Sequence, residues 1–167
     1  GVFSEVDLHY TLGCAIDEAG DLECWGNSTN NIIHAGPFHD INVGWKHLCA
    51  LNPDGSMYCD GSGAGYAPPC NDCGTAQPGH WIDIDVDENA NWCGVQSTGE
   101  IECWGNWNSN VYPPPTGNDF VQVTMGEAFG CGLKTDNSIE CWGNDELDQL
   151  SNAPSGVDFV HVDASRE

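Results

Sequence analysis

The feature that most constrains the fold of this chain is a pair of cysteines, ten residues apart, that recurs four times. The four segments are CAIDEAGDLECWG (14–26), CALNPDGSMYCDG (49–61), CGVQSTGEIECWG (93–105) and CGLKTDNSIECWG (131–143). Unrelated motifs do not keep one spacing over four copies, so the segments indicate one supersecondary unit that is used repeatedly.

Each segment is predicted to form a β-hairpin closed by a three-residue loop. In the second copy, Asn52 and Ser56 flank Pro53-Asp54-Gly55, which is typical of a type I turn followed by a left-handed residue. Gly and Asn are the residue types that best tolerate positive φ. They hold the left-handed position in every copy, as Gly20, Gly55, Gly99 and Asn137. The shared loop therefore fixes one register for all four hairpins.

That register places the two cysteines of each copy opposite each other, at a non-hydrogen-bonded position where Cα atoms approach to about 4.5 Å. A disulfide can span this distance. The predicted pairs are Cys14–Cys24, Cys49–Cys59, Cys93–Cys103 and Cys131–Cys141. Cys70 and Cys73 lie in a Pro- and Gly-rich insertion. We predict a local disulfide between these two, with half of a zinc site or a redox pair as the alternatives.

A short alternating strand is predicted before each hairpin. The four strands are FSEVDL (3–8), FHDINV (38–43), WIDIDV (81–86) and FVQVTM (120–125), and FVHVDA (159–164) repeats the pattern a fifth time. Within the hairpins, apolar pairs such as Leu51 and Met57 share the side of the cysteines. The other side carries Glu23, Tyr58, Glu102 and Glu140. We therefore expect at least three strands in each repeat, with one face of each sheet in the core.

Charge and cysteine content limit the setting and the partners. The chain has 26 acidic residues against 3 Lys and Arg, for a formal net charge of -23, and such a surface repels nucleic acid and anionic membranes. Ten cysteines, most of them evenly paired, favour an extracellular or cell-surface location. No apolar run approaches membrane-spanning length. No signal peptide stands at Gly1, so we expect a mature product or an excised domain.

The complete frame consists of F-x-x-V, a few residues, C-[AG]-[LIV], a Gly turn, C-W-G-N and a Pro before the next F. It resembles the regulator of chromosome condensation repeat, in its cysteine-paired bacterial secreted form, over essentially the whole chain. His47 matches a histidine that is common in those repeats, whereas Asp60 departs from the Trp of the other copies. The resemblance implies a β-propeller of short antiparallel blades.

We therefore predict an all-β fold, a β-propeller-like array of four disulfide-stapled antiparallel repeats that is either four-bladed or part of a larger or shared propeller. The chain is expected to be a single repeat domain, residues 1–167. Its repeats cover approximately 3–37, 38–80, 81–119 and 120–158, with the start of a fifth at 159–167. In a closed four-blade ring, the strand at 159–164 has no place, because each of the four blades already has a first strand. The chain is then an excerpt, an open array, a ring with one strand displaced, or a donor of that strand to a neighbouring copy.

Two acidic clusters are candidate calcium sites. The residues are Asp83, Asp85 and Asp87 in the first cluster and Asp145, Glu146 and Asp148 in the second. The first cluster lacks the Gly and the Glu that complete a calcium loop, and it falls on a predicted strand, so a solvated strand face is the favoured interpretation. No cofactor is expected to be required, with calcium as the alternative.

The sequence predicts a binding protein and not an enzyme. It contains no G-x-S-x-G, phosphate-loop or H-E-x-x-H motif, and no unpaired cysteine beside a histidine. Aromatic residues in connecting loops are typical of a binding rim, and those that break the repeat pattern are Trp45, Tyr66, Trp92, Trp107 and Tyr112. The predicted function is a secreted, non-catalytic recognition or adhesion module that binds a protein or glycan through its propeller loops. The alternative is a structural subunit of an extracellular filament or surface array, assembled by strand exchange between copies.

Overall fold

The computed structural model describes residues 1–26, 33–44, 47–61, 79–87, 91–105 and 113–164. All regular secondary structure in these residues is β-strand, and the strands form four antiparallel sheets, one in each predicted repeat. The predicted fold class is confirmed. The chain divides into two compact units, Gly1–Trp81 and Ile82–Glu167, each of which contains two of the sheets. In this part of the chain, no helix is long and apolar enough to cross a membrane.

Each sheet consists of a first strand followed by the hairpin. The strands of the first unit are β1 (Phe3–His9), β2 (Leu12–Asp17), β3 (Leu22–Gly26), β4 (Ile33–His34), β5 (Asp40–Val43), β6 (His47–Leu51) and β7 (Met57–Gly61). Those of the second unit are β8 (Trp81–Val86), which begins at the boundary between the units, β9 (Asn91–Gln96), β10 (Ile101–Gly105), β11 (Phe120–Gly126), β12 (Phe129–Lys134) and β13 (Ile139–Gly143). The short strand β4 pairs with β3 as a fourth strand of the first sheet.

The predicted loop closes all four hairpins. In the second, Asn52 N–H donates to Ser56 O (2.8 Å) and Gly55 N–H donates to Asn52 O (2.9 Å). Gly55 has a φ of 80°, and the residues at its position in the other loops are also left-handed: Gly20, Gly99 and Asn137. A residue with little or no Cβ hindrance is needed here, because the loop reverses the chain in three residues.

The register that follows from these loops is the predicted one. Leu51 pairs with Met57, and Cys49 pairs with Cys59. All four predicted disulfides of the repeats are present, with Cα–Cα distances of 4.0 to 4.1 Å. Cys70 and Cys73 lie outside the described residues. On the chain-entropy model, each disulfide stabilises its hairpin by roughly 3 kcal/mol.

Each sheet has a disulfide face, on which the cysteines lie, and an opposite face. In the first unit, the core joins the disulfide face of the first sheet to the opposite face of the second. The first contributes Cys14, Ile16, Leu22 and Cys24, and the second contributes Ile41, Val43, Leu48, Ala50 and Tyr58. The disulfide face of the second sheet is buried as well, at Leu51 and Met57, and in the third sheet Val95 and Trp92 are buried on opposite faces. The expectation of one core face for each sheet is therefore wrong for the second and third sheets. Tyr58, which was expected on the outer side, is buried because the preceding repeat covers it.

The core of the second unit follows the same rule. The disulfide face of the third sheet packs against the opposite face of the fourth. The buried residues are Cys93, Val95 and Ile101 from the third sheet and Phe120, Val123, Met125 and Trp142 from the fourth. Within each unit, one repeat thus supplies half of a core that the next repeat completes.

Candidate recognition site

The two ends of every sheet differ in their connections. The hairpin loops with Gly20, Gly55, Gly99 and Asn137 lie at one end, which we call the turn end. Because neighbouring strands are antiparallel, two kinds of connection leave from the other end, the connecting end. These are the link between the first and second strands and the link from the third strand to the next repeat.

The turn end joins successive repeats by one backbone hydrogen bond. The N–H of Phe38 donates to Gly20 O (2.9 Å), and the N–H of Trp81 donates to Gly55 O (3.0 Å). The same bond recurs from Phe120 to Gly99, and from Phe159 to Asn137. The packing is close, since a Cβ added to Gly99 would lie 2.3 Å from Asn118 O. The turn end therefore has the same structural role in every repeat and little freedom to vary.

The connecting end differs from one repeat to the next. The sequence between the third strand and the next first strand runs over residues 27–37, 62–80, 106–119 and 144–158, without a common length. The segments 45–46, 62–78 and 106–112 all begin at the connecting end of their sheets. Four predicted rim residues belong to these segments and lie outside the described residues: Trp45, Tyr66, Trp107 and Tyr112.

Trp92 is not a rim residue. It lies in β9 opposite Trp104 of β10 and is 0% exposed. In the first and fourth sheets this position is Gly13 or Gly130, and the Trp of the third strand lies directly over the glycine. Trp92 therefore places a large buried side chain where the first and fourth repeats have a glycine. It broke the sequence pattern for a packing reason and not for exposure.

Two exposed aromatic residues at the connecting end of the first sheet were missed by the sequence reasoning. Tyr10 lies in the β1–β2 turn with a φ of 49° and is almost wholly exposed, and Trp25 of β3 is partly exposed. Three copies share Trp25 at this position, as Trp25, Trp104 and Trp142, so the repeat pattern does not show its exposure. Tyr10 interrupts the repeat just as Trp45 does, and that signal could have identified it.

Within each unit, carboxylates of one first strand hold the backbone of the following first strand. We number the first-strand positions 1 to 6, from Phe3 to Leu8 in β1. At position 3, Asp83 Oδ2 accepts from Val123 N–H (2.6 Å). At position 5, Asp85 Oδ2 accepts from Met125 N–H (2.6 Å). Asp7 accepts from Val43 N–H in the same way in the first unit (2.6 Å).

This first-strand ladder changes the interpretation of the first acidic cluster. Asp83 and Asp85 are half-buried acceptors between two repeats, and Asp87 is buried with both oxygens on Asn91 (2.6 and 2.9 Å). The expectation of a solvated strand face is therefore wrong. These carboxylates satisfy backbone and amide N–H groups that burial would otherwise leave without acceptors.

The second acidic cluster forms a local turn. Asp145 accepts from Leu150 N–H (2.7 Å) and from both donors of Ser151, which lowers the pKa of its carboxyl. Asp148 is left-handed, with a φ of 61°. Over the described ranges, no group of three or more His, Cys, Asp or Glu side chains is arranged to hold a metal ion.

A carboxyl pair occupies position 3 in the first unit. Glu5 and Asp40 share a hydrogen bond, and burial together with the charge of Asp40 raises the pKa of Glu5 to about 7. Burial also raises the pKa of Asp40. In the second unit, Gln122 at position 3 of β11 lies beside His161, and their side-chain nitrogens are 2.9 Å apart. Side chains at position 3 thus connect the two first strands of the first unit, and connect β11 to residues 159–164 in the second.

Two histidines are packed against neighbouring side chains. His34 lies against the Tyr58 ring with 2.6 Å between its Nε2 and Tyr58 Oη. His47, which matches the histidine common in the resembled repeats, is half-buried at the start of β6, and its partial burial lowers its pKa to about 4. Both therefore belong to the packing of the second sheet.

No protein-family model matches the chain, and no curated protein sequence matches it. Its fold is similar to those of several solved propeller structures. The CRINKLY WD40 ectodomain of the Arabidopsis thaliana receptor kinase ACR4 superposes with a TM-score of 0.72 and 24% identity over 98% of this chain and 56% of that chain. The ectodomain of the Physcomitrella patens receptor kinase CR4 gives 0.72 and 20%, over 97% and 47%.

A third similar structure is yeast RCC1 (Prp20) in complex with Kap60, with a TM-score of 0.70 and 13% identity over 98% of this chain and 52% of that chain. Prp20p of Saccharomyces cerevisiae has also been characterised for its binding to Gsp1p and histones. These likenesses show a propeller-type repeat fold. The chain spans about half the length of each of these structures.

Proposed function

We propose that this chain is an extracellular, non-catalytic recognition module that binds a protein partner through the connecting ends of its sheets. One observation carries the proposal. The turn end has the same hydrogen bond in all four repeats, whereas the connecting end differs in length and composition from repeat to repeat. Variable segments on a constant scaffold are the usual place for binding residues.

A protein is the favoured partner class. Yeast RCC1 (Prp20), whose fold is similar, is bound to Kap60 in one structure and has been characterised for its binding to Gsp1p and histones. The net charge of -23 adds a preference for a partner with a basic surface, because opposite charges accelerate encounter and suppress other partners. Tyr10 supplies exposed aromatic area at the connecting end, together with the predicted Trp45, Tyr66, Trp107 and Tyr112. A glycan ligand is the alternative.

The first acidic cluster supports a role without catalysis and without a required cofactor. The carboxylates of Asp83, Asp85 and Asp87 accept hydrogen bonds that hold the strands together, so their chemistry is used by the fold. Calcium would have to replace those donors. We therefore expect millimolar calcium, compared with a chelator at constant ionic strength, to leave Tm unchanged. A clear rise in Tm would support a calcium site instead.

The extracellular location is proposed on two grounds. Four disulfides staple the described hairpins, and such bonds persist in oxidising compartments. Two similar structures are receptor ectodomains. Both fit the cysteine-paired secreted form of the repeat.

The test is a binding screen with matched variants. The chain is immobilised and presented with purified basic secreted and cell-surface proteins and, separately, with a glycan array. The expected result is a protein ligand whose affinity falls roughly tenfold or more with Trp45→Ala and Trp107→Ala. Asp54→Ser, at the exposed turn end, is the control and should bind as the unchanged chain does. A ligand that responds only to the turn-end variant, or binding to glycans alone, would contradict the proposal.

A further inference from the structure

The opposite face of the first sheet is apolar and open. Four of its large apolar side chains are exposed: Val6, Leu8, Trp25 and Ile33. The register puts them on one side, since Leu8, Gly13 and Trp25 form one row and Val6, Ala15, Glu23 and Ile33 form the next. We call this surface the leading face.

The same positions are covered in the fourth sheet. Val6 is 53% exposed where Val123 is 2%, Leu8 is 65% where Met125 is 3%, and Trp25 is 42% where Trp142 is 7%. In the fourth sheet the cover is the disulfide face of the third repeat. The leading face therefore has the composition of half an inter-repeat core, and the surface it fits is the disulfide face of another repeat.

The disulfide face of the fourth repeat ends in a slot for a first strand. The slot consists of three acceptors: Asn137 O, Gln122 Oε1 and Thr124 Oγ1. Residues 159–164, the trailing segment, occupy it through the N–H groups of Phe159 (3.2 Å), Val162 (3.0 Å) and Ala164 (2.9 Å). These are the positions 1, 4 and 6 that Phe3, Val6 and Leu8 hold in β1.

The trailing segment fills the slot incompletely. It supplies one extended stretch, whereas β1 brings a whole sheet with β2, β3 and β4. Val160 is exposed, and Ile139 and Cys141 beneath the segment are only partly buried. At position 6 the segment has Ala164 where β1 has the larger Leu8. A first repeat would therefore bury more apolar surface in this slot than the trailing segment does.

From these observations we infer that the leading face docks on the fourth repeat of a second copy of this chain, and that β1 displaces the trailing segment from its slot. The match between the two surfaces favours a second copy as the occupant. The fourth repeat offers a first strand three acceptors at positions 1, 4 and 6, and β1 has the apolar side chains that cover such a face elsewhere in the chain. Two copies joined by two identical contacts make a closed dimer, with no edge left over. The inference goes beyond the proposed recognition role and does not depend on its ligand.

The effect of salt distinguishes an apolar contact between copies from association through ion pairs. Each copy has a formal net charge of -23, so the copies repel each other, and salt screens that repulsion. An apolar contact between like-charged copies strengthens as salt is added. Association through ion pairs would instead weaken as salt is added.

The test is the solution mass of the full chain and of matched variants, measured by sedimentation equilibrium over a wide range of concentration. We expect a dimer that tightens with salt. Leu8→Asp and Trp25→Ser should each weaken it roughly tenfold or more. Val160→Asp, on the exposed side of the trailing segment, should leave it unchanged. Circular dichroism and a free-thiol count verify that each variant is folded.

The trailing segment gives the decisive variants. Removal of residues 157–167 vacates the slot and should tighten the dimer, and Val162→Pro should act in the same direction because it removes a donor to Gln122. If the full chain and both variants are monomers at every concentration, the inference is wrong. It is equally wrong if truncation abolishes the dimer, since the trailing segment would then itself link the copies, or if Leu8→Asp assembles like the unchanged chain.

Discussion

The opposite faces of the first and fourth sheets carry the same kinds of side chain in different surroundings. Val123, Met125 and Trp142 lie in the core beneath the third repeat, whereas Val6, Leu8 and Trp25 face solvent. The two sheets share their loop, register and disulfide. The difference shows that a repeat folds its own sheet but depends on the preceding repeat to bury its opposite face, which is the nearest-neighbour behaviour of repeat proteins.

The largest expected effect comes from position 1 of the first strand. Phe120 is buried against Gly132 and Ile101, and Phe3 at the same position of β1 is exposed. We expect Phe120→Ala to lower the free energy of unfolding by about 3–5 kcal/mol, and Phe3→Ala to lower it by less than about 1 kcal/mol. Denaturant unfolding in dilute solution measures both. Equal losses of unfolding free energy would show that Phe120 and Phe3 are buried to the same extent.

The next effect tests the first-strand ladder at position 5. Asp85 accepts from Met125 N–H and from the Thr124 hydroxyl, whereas no hydrogen bond or ion pair to the Asp163 carboxylate is found among the described residues. Asp85→Ala should cost about 2 kcal/mol, because it leaves a buried N–H without its acceptor. Asp163→Ala should cost less than about 0.5 kcal/mol. A large loss of unfolding free energy from Asp163→Ala would mean that another part of the chain packs on the trailing segment.

A smaller effect concerns pH. The pKa of Glu5 is about 7 in the folded chain against an ordinary 4.5, so the folded state binds more protons than the unfolded state between these values. The free energy of unfolding therefore falls as the pH rises from 4.5 to 7. The half-buried His47, with its pKa lowered to about 4, acts in the opposite direction up to pH 6.5.

Glu5→Gln isolates the carboxyl contribution, since it leaves His47 in place. After a discount for the partial exposure of Glu5, the unchanged chain should lose on the order of 1 kcal/mol relative to Glu5→Gln over this pH range. Gln122→Glu is the matched control at position 3 of the second unit, where His161 is the neighbour. If the unchanged chain and Glu5→Gln keep a constant difference in stability across the range, Glu5 does not titrate as described.

The sequence alone was sufficient for the parts of the fold that depend on local contacts. The loop at Gly55 fixes the pairing of Cys49 with Cys59, and everything needed for that inference lies within eleven residues. The burial of Tyr58 and the roles of Asp83 and Asp85 were missed for one reason. Their partners lie in a neighbouring repeat, and a hydrophobic pattern within one sheet does not show which of its faces another sheet covers.

Trp92 shows a second reason. Its exposure was inferred from its departure from the repeat. The first and fourth repeats have Gly13 and Gly130 at this position, with the third-strand Trp over the glycine, whereas Trp92 is itself buried in the third sheet. Pattern breaks in a repeat protein therefore mark either an exposed loop or a substitution of one packing arrangement for another. Only the position relative to the strands separates the two, which is why Tyr10 in a turn is exposed and Trp92 in β9 is buried.

The most direct test of this account is residue-resolved amide hydrogen exchange at the first strands, measured in dilute solution. The account predicts that the amides of Val123 and Met125, held by Asp83 and Asp85, exchange at least roughly a hundredfold more slowly than those of Val6 and Leu8. In concentrated solution, the β1 amides should become protected as the second copy docks. Protection of Val6 and Leu8 equal to that of Val123 and Met125 in the dilute chain would contradict the account, because the leading face would then already be covered.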